Sequence, residues 1–97
     1  MTARGSILQS LQDIKNEIKA AYKVKSLWLF GSFARGEEKL TSDVDILVDF
    51  EKGADLFNLM ALASFLEEQF GRRVDIVSKD ALRPELKEIV FKEMLAV

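Results

Sequence analysis

Residues 26–50 read Ser26-Leu27-Trp28-Leu29-Phe30-Gly31-Ser32-Phe33-Ala34-Arg35-Gly36, then Glu37 to Ser42, then Asp43-Val44-Asp45-Ile46-Leu47-Val48-Asp49-Phe50. The first run, Ser26 to Phe30, is brief, apolar and bounded by glycine, which favours a buried strand over a helix. In the last run Val44, Ile46 and Val48 alternate with Asp43, Asp45 and Asp49, the two-residue period of a strand with one apolar and one acidic face. The polar stretch Ser32 to Thr41 connects them, as a loop or a short helix.

Toward the N-terminus, Ser6 followed by Gln9 has the form of a capping box. Ile7, Leu11, Ile14, Ile18 and Tyr22 then recur at spacings of four and three, which predicts an amphipathic helix. Lys15, Lys19 and Lys23 fall on its other side and read as a solvated face. Toward the C-terminus, Asp55 is placed to cap a helix running to about Phe70, with Gly71 as its stop. Leu56, Leu59, Met60, Ala63, Leu66 and Phe70 are its expected inward residues. Phe57, Phe65 and Phe70 read as packing aromatics, and Trp28, amid Leu27, Leu29 and Phe30, as core.

Arg73 to Val77 is a third strand candidate, and Ser78 to Arg83 a turn. Pro84 suits the first position of a last helix, whose apolar face would include Leu86, Ile89, Val90 and Met94. The order α-β-(short α or loop)-β-α-β-α gives an α+β fold: a small mixed β-sheet packed with helices, mainly in two layers. Residues 1–97 are expected to form a single domain. Strand order stays open.

Composition narrows the chemistry. The chain has no cysteine, which removes disulfides, thiolate metal sites and thiol nucleophiles. It has no histidine either, so Ser-His-Asp triads and histidine ligands are excluded, and any metal must be held by oxygen. A net charge of −2 provides no general field for nucleic acid, so a polynucleotide partner is not implied. The N-terminus turns polar too soon for a signal peptide. The most apolar later stretch, Leu59 to Leu66, is far short of the ~20 residues that span a bilayer. A cytoplasmic protein with no membrane partner is expected.

The candidate chemistry sits in the opening stretch. A strand ending in Gly31-Ser32 lets backbone approach a ligand closely, and its N–H groups and the Ser32 hydroxyl can bond phosphate oxygens. Asp43 and Asp45, two residues apart on a strand, project from one face with Cα atoms roughly 6.5–7 Å apart, near enough to share metal ions. Such neighbours repel and raise one another's pKa, so magnesium bridging them to a triphosphate would give the pair a reason to exist. Asp75, between Val74 and Ile76, repeats the pattern and would face the same site if its strand lies beside the second.

Other aspartate motifs fit less well. An EF-hand loop needs a run of oxygen ligands with a central glycine, whereas Val44, Ile46 and Leu47 make a strand. No lysine follows the glycine turn in the Gly-Lys-Ser/Thr form of a P-loop. The strand continues through Ile46 and Leu47, where the haloacid-dehalogenase phosphatases turn.

The run GSFARG…TSDVDILVDF, with the later RRVDIVS, resembles the minimal nucleotidyltransferases of the DNA polymerase beta superfamily. The resemblance covers essentially the whole chain and implies the polymerase beta-like nucleotidyltransferase fold. It implies that Gly31 and Ser32 bind the triphosphate of ATP, that Asp43 and Asp45 hold two magnesium ions, and that Asp75 completes the metal site and activates the acceptor. Arg35 would reach a phosphate or tie down the turn, and Ser42 would cap or orient the acidic strand. Minimal members are commonly encoded with a HEPN-domain protein, often as antitoxin to a HEPN ribonuclease toxin. The implied reaction is transfer of AMP to a hydroxyl of that partner, such as a tyrosine. Two alternatives stay open: a non-catalytic binding module that neutralises its partner by contact, and nucleotidyl transfer to RNA or a small molecule.

Overall fold

The computed structural model describes residues 3–97. Its elements in chain order are α1 (Ala3–Tyr22), β1 (Val24–Phe30), α2 (Gly31–Arg35), β2 (Val44–Phe50), α3 (Leu56–Phe70), β3 (Val74–Ser78), α4 (Pro84–Glu93) and β4 (Leu95–Ala96), with a 3-10 turn (Lys79–Ala81) before α4. The sheet order is β3-β2-β1-β4. β1 runs antiparallel to β2 and β4, while β2 and β3 are parallel, so the sheet is mixed as expected. The parallel pair follows from α3, which carries the chain back across one face before β3 begins.

Alternation along the strands sends their residues to two different cores. Val44, Ile46 and Val48 of β2 and Leu27 and Leu29 of β1 pack with Leu11 and Ile18 of α1 and Leu62 and Leu66 of α3. The Tyr22 and Phe65 rings, 5.6 Å apart between centroids, join the two helices. A bulge between Val24 and Ser26 shifts the pairing, and Val24 joins this core too. On the other face Leu47, Leu82 and Val90 form a smaller cluster with Trp28, Phe30, Val77 and Met94. That second face also carries the alternate residues Asp45 and Asp75.

Local signals placed several boundaries correctly. The Asp55 side chain accepts from the Asn58 backbone N–H at 3.1 Å, and Asn58 Oδ1 accepts from the Asp55 N–H at 3.0 Å, a reciprocal cap for α3. Gly71, with φ +65°, ends the helix, and Pro84 opens α4.

Other expectations are corrected. Ser6 lies inside α1 rather than at its cap, and Gln9 bonds Asp13 one turn on. Leu56, Phe57 and Met60 are not inward: Phe57 is 80% exposed and Met60 56%, while Leu59, Leu62, Ala63 and Leu66 carry the contact with the core. Leu86 and Ile89 likewise face out, and only Val90 of α4 is fully buried. The sheet face beneath α4 is short and shared with charged residues, so it leaves room for a narrow apolar stripe only. Strand β4 had no signature of its own, since two residues show no period.

Candidate active site

Strand register brings the predicted aspartates to one place. Asp45 and Asp75 are direct partners across the parallel β2–β3 pair, so their side chains leave the same face on strands about 4.8 Å apart. Asp43, just before β2, lies on that face by alternation. Asp43 and Asp45 are half-buried and Asp75 is exposed. Burial pushes the Asp45 carboxyl up to about 6; the charges of Asp75 and then Asp43 push the same way, and Arg35 opposes them. Asp45 therefore senses both of the other acids.

The glycine turn meets this cluster from the adjacent strand. Phe30 is the register partner of Asp45, so Gly31 begins its turn beside that carboxylate. Gly31 has φ +74°, and a Cβ there would overlap the Asp45 carboxylate and lie 2.9 Å from its Cγ. Glycine is required twice over, by backbone conformation and by close approach. Ser32 follows, half-buried, in the short helix α2, which Gly36 closes with φ +73° and a Glu37 N–H to Ser32 carbonyl bond of 2.9 Å.

The remaining two predicted site residues are engaged structurally. Arg35 Nε donates to Glu37 Oε2 and its Nη1 to Glu93 Oε2, each at 2.9 Å. It thus ties the turn, as one of its two readings held, and also fastens α2 to α4. The Ser42 hydroxyl accepts from the Lys39 N–H at 2.8 Å, closing the turn that leads into Asp43. Two residues the sequence did not assign also matter. Glu93 lies 58 positions from Arg35, beyond the reach of any local pattern. Arg72 donates to the Ser42 carbonyl at 3.1 Å and stacks over the Phe33 ring at 4.9 Å.

Among the described residues, no group of three or more acidic side chains is drawn together closely enough to hold a metal ion. The donor chemistry nevertheless fits a hard divalent cation: carboxylate oxygens on adjacent strands, one of them raised in pKa by burial and then by the other two, in a chain with no histidine or cysteine.

A nucleotidyltransferase domain model matches residues 11–97. The chain belongs to the nucleotidyltransferase domain family. The protein adenylyltransferase MntA of Thermococcus cleftensis is 41% identical over 83 residues, covering 86% of this chain and 84% of that one. A solved structure described as a "putative minimal nucleotidyltransferase" is 38% identical, with a TM-score of 0.78 over 93% of this chain and 95% of that one. A chain of the complex between a tri-AMPylated Shewanella oneidensis HEPN toxin and an MNT antitoxin superposes with a TM-score of 0.61 at 22% identity, over 96% of this chain and 66% of that one, and shares the fold. The α+β architecture of a minimal nucleotidyltransferase is thus shown by sequence and by shape. No helix among the described residues is long and apolar enough to cross a membrane.

Proposed function

We propose that this nucleotidyltransferase moves AMP from ATP to a hydroxyl on a HEPN-type protein partner, in the cytoplasm, and thereby acts as the partner's antitoxin. The observation that carries the reading is the in-register Asp45–Asp75 pair with Gly31 pressed against the Asp45 carboxylate. The likeness to the protein adenylyltransferase MntA supports the reaction class, and the shared fold with the HEPN–MNT complex supports the partner.

Asp43 and Asp45 would hold two magnesium ions, which supply charge neutralisation for the triphosphate and a more acidic acceptor hydroxyl. Gly31, whose missing Cβ makes room for the Asp45 carboxylate, would present the backbone of the turn to the triphosphate, and the backbone and hydroxyl of Ser32 would bond its oxygens. Asp75, exposed and on the adjacent strand, is open to the incoming acceptor and takes its proton. The acceptor oxygen then bonds to the α-phosphorus, the bond from that phosphorus to the bridging oxygen breaks, and pyrophosphate departs.

The test is incubation of the chain with labelled ATP, magnesium and the product of the neighbouring gene. Transfer of label to the partner is expected from the wild type and not from Asp43→Asn/Asp45→Asn. Contact inhibition has its own supporting observation: Leu86, Ile89 and Phe91 of α4 are exposed apolar residues. Partner inhibition undiminished in the double variant, with no label moved by either protein, would establish that reading instead.

A further inference from the structure

The two halves of the site are separated by ten residues, 33–42, and come from different elements. Gly31 and Ser32 open α2, whereas Asp43 precedes β2 and Asp45 lies at its start. Phe33 and Ala34 anchor the first part of the connection in the core, but beyond them Gly36, Glu37, Lys39, Leu40 and Thr41 all face solvent, and Leu40 is 96% exposed. A segment with so little burial does not by itself hold its two ends in fixed relation.

Arg72 touches both ends. Its guanidinium lies 4.9 Å from the centroid of the Phe33 ring, which is fully buried and immediately follows Ser32. Its Nη1 donates to the carbonyl of Ser42 at 3.1 Å, the peptide that leads into Asp43. The adjacent backbone adds a second tie: the Val44 N–H donates to the Arg73 carbonyl at 2.9 Å. A planar cation suits this place because it stacks on a ring face while its edge donates to an oxygen.

We propose that Arg72 is a positioning residue for nucleotidyl transfer: strand pairing already sets Asp45 beside Gly31, and Arg72 fixes Asp43, which lies beyond that pairing, against the Gly31-Ser32 turn without itself contacting ATP. The inference rests on the reading of Asp43 and Asp45 as metal-holding groups. Loss of the clamp lets the Asp43 carboxylate drift from the phosphate-binding turn. Groups that orient metal-holding side chains typically change metal affinity or activity about 10- to 100-fold when removed.

The test uses the full chain as wild type, Arg72→Met and Arg72→Lys, each checked for folding by thermal unfolding. Added Mn2+ is titrated against paramagnetic broadening of the Gly31, Ser32 and Asp43 amide signals, and AMP transfer is measured separately. In the wild type all three signals should broaden together at one midpoint. In Arg72→Met that midpoint should rise about tenfold or more, and kcat should fall by a similar factor with KM for ATP within about threefold. Arg72→Lys, which keeps the charge and one donor but loses the flat stack, should lie between.

Three results would overturn the proposal. Unchanged Mn2+ midpoints and kcat in a folded Arg72→Met would reduce Arg72 to a surface residue. A lowered melting temperature with both readouts unmoved would make it a stability residue. Full recovery in Arg72→Lys, with KM alone raised in Arg72→Met, would make it a phosphate-contacting charge. A wild type that neither broadens with Mn2+ nor transfers label would instead sink the metal reading of the aspartates, an outcome distinct from these.

Discussion

The two faces of β2 put the same seven residues to opposite uses. On one face Val44, Ile46 and Val48 are wholly buried against α1 and α3. On the other, Asp45 and Leu47 stand beside one another, a half-buried carboxylate next to a buried leucine. The first face stabilises by removing apolar surface from water. The second holds like charges near a small apolar cluster, where desolvation and mutual repulsion work against folding. The strand therefore puts most of its buried apolar surface on one side and the proposed chemistry on the other.

Variants of the two faces should separate the two uses. The largest effect belongs to the acidic face: Asp43→Asn/Asp45→Asn should lower the rate of AMP transfer by about a thousandfold or more, near 4 kcal/mol, while the protein stays folded. Radiolabel transfer together with circular dichroism checks both halves. On the dry face, Ile46→Ala should cost about 2–5 kcal/mol of stability by leaving a cavity between the sheet and its helices. Denaturant titration measures it, and the transfer rate of the folded fraction should change far less than in the aspartate variant.

Gly31→Ala tests the point where the faces meet a turn. The added methyl must displace the Asp45 carboxylate and also occupy a left-handed backbone conformation, so a loss of about 1–3 kcal/mol is expected with a transfer defect alongside. Retained wild-type transfer would show that Asp45 tolerates displacement.

A smaller effect should appear in Asp45→Asn without metal. The Asp45 carboxyl titrates at about 6 in the fold against an ordinary value of 3.8, so the folded state holds its proton more tightly than the unfolded one. The penalty of ionisation is absent below about pH 4, grows as pH rises toward 6, and is constant above. Asp45→Asn should thus match the wild-type melting temperature near pH 4 and exceed it at pH 7. Equal melting temperatures at both pH values would contradict the electrostatic account.

The smallest effect is expected away from both faces. Lys23, between α1 and β1, has φ +57°, a conformation that glycine adopts without penalty. Lys23→Gly should stabilise by about 0.5–1 kcal/mol in a thermal melt and leave transfer unchanged.

Much of this was legible before any coordinates. Val44, Ile46 and Val48 announced a strand by period, and Asp55, Gly71 and Pro84 marked helix ends, because such signals depend only on neighbours in the chain. Gly31, Ser32 and the three aspartates stood out by type and spacing. The exposure of Leu56, Phe57 and Met60 was not legible, since helical period says which residues share a face but not how much of that face the core covers. Nor were the partners of Arg35: Glu37 is near in sequence, but Glu93 arrives with α4.

Sequence alone determined the kind of chemistry: oxygen donors only, two aspartates on one side of a strand, a third in a similar strand, and a glycine turn ahead of them. Tertiary structure decided that β2 and β3 lie parallel and in register, which makes Asp45 and Asp75 neighbours, and that Arg72 spans Phe33 and Ser42. The division has a physical cause. A side-chain period is set by local backbone geometry, whereas which strand lies beside which, and which cation reaches which ring, is fixed only when distant segments share a core.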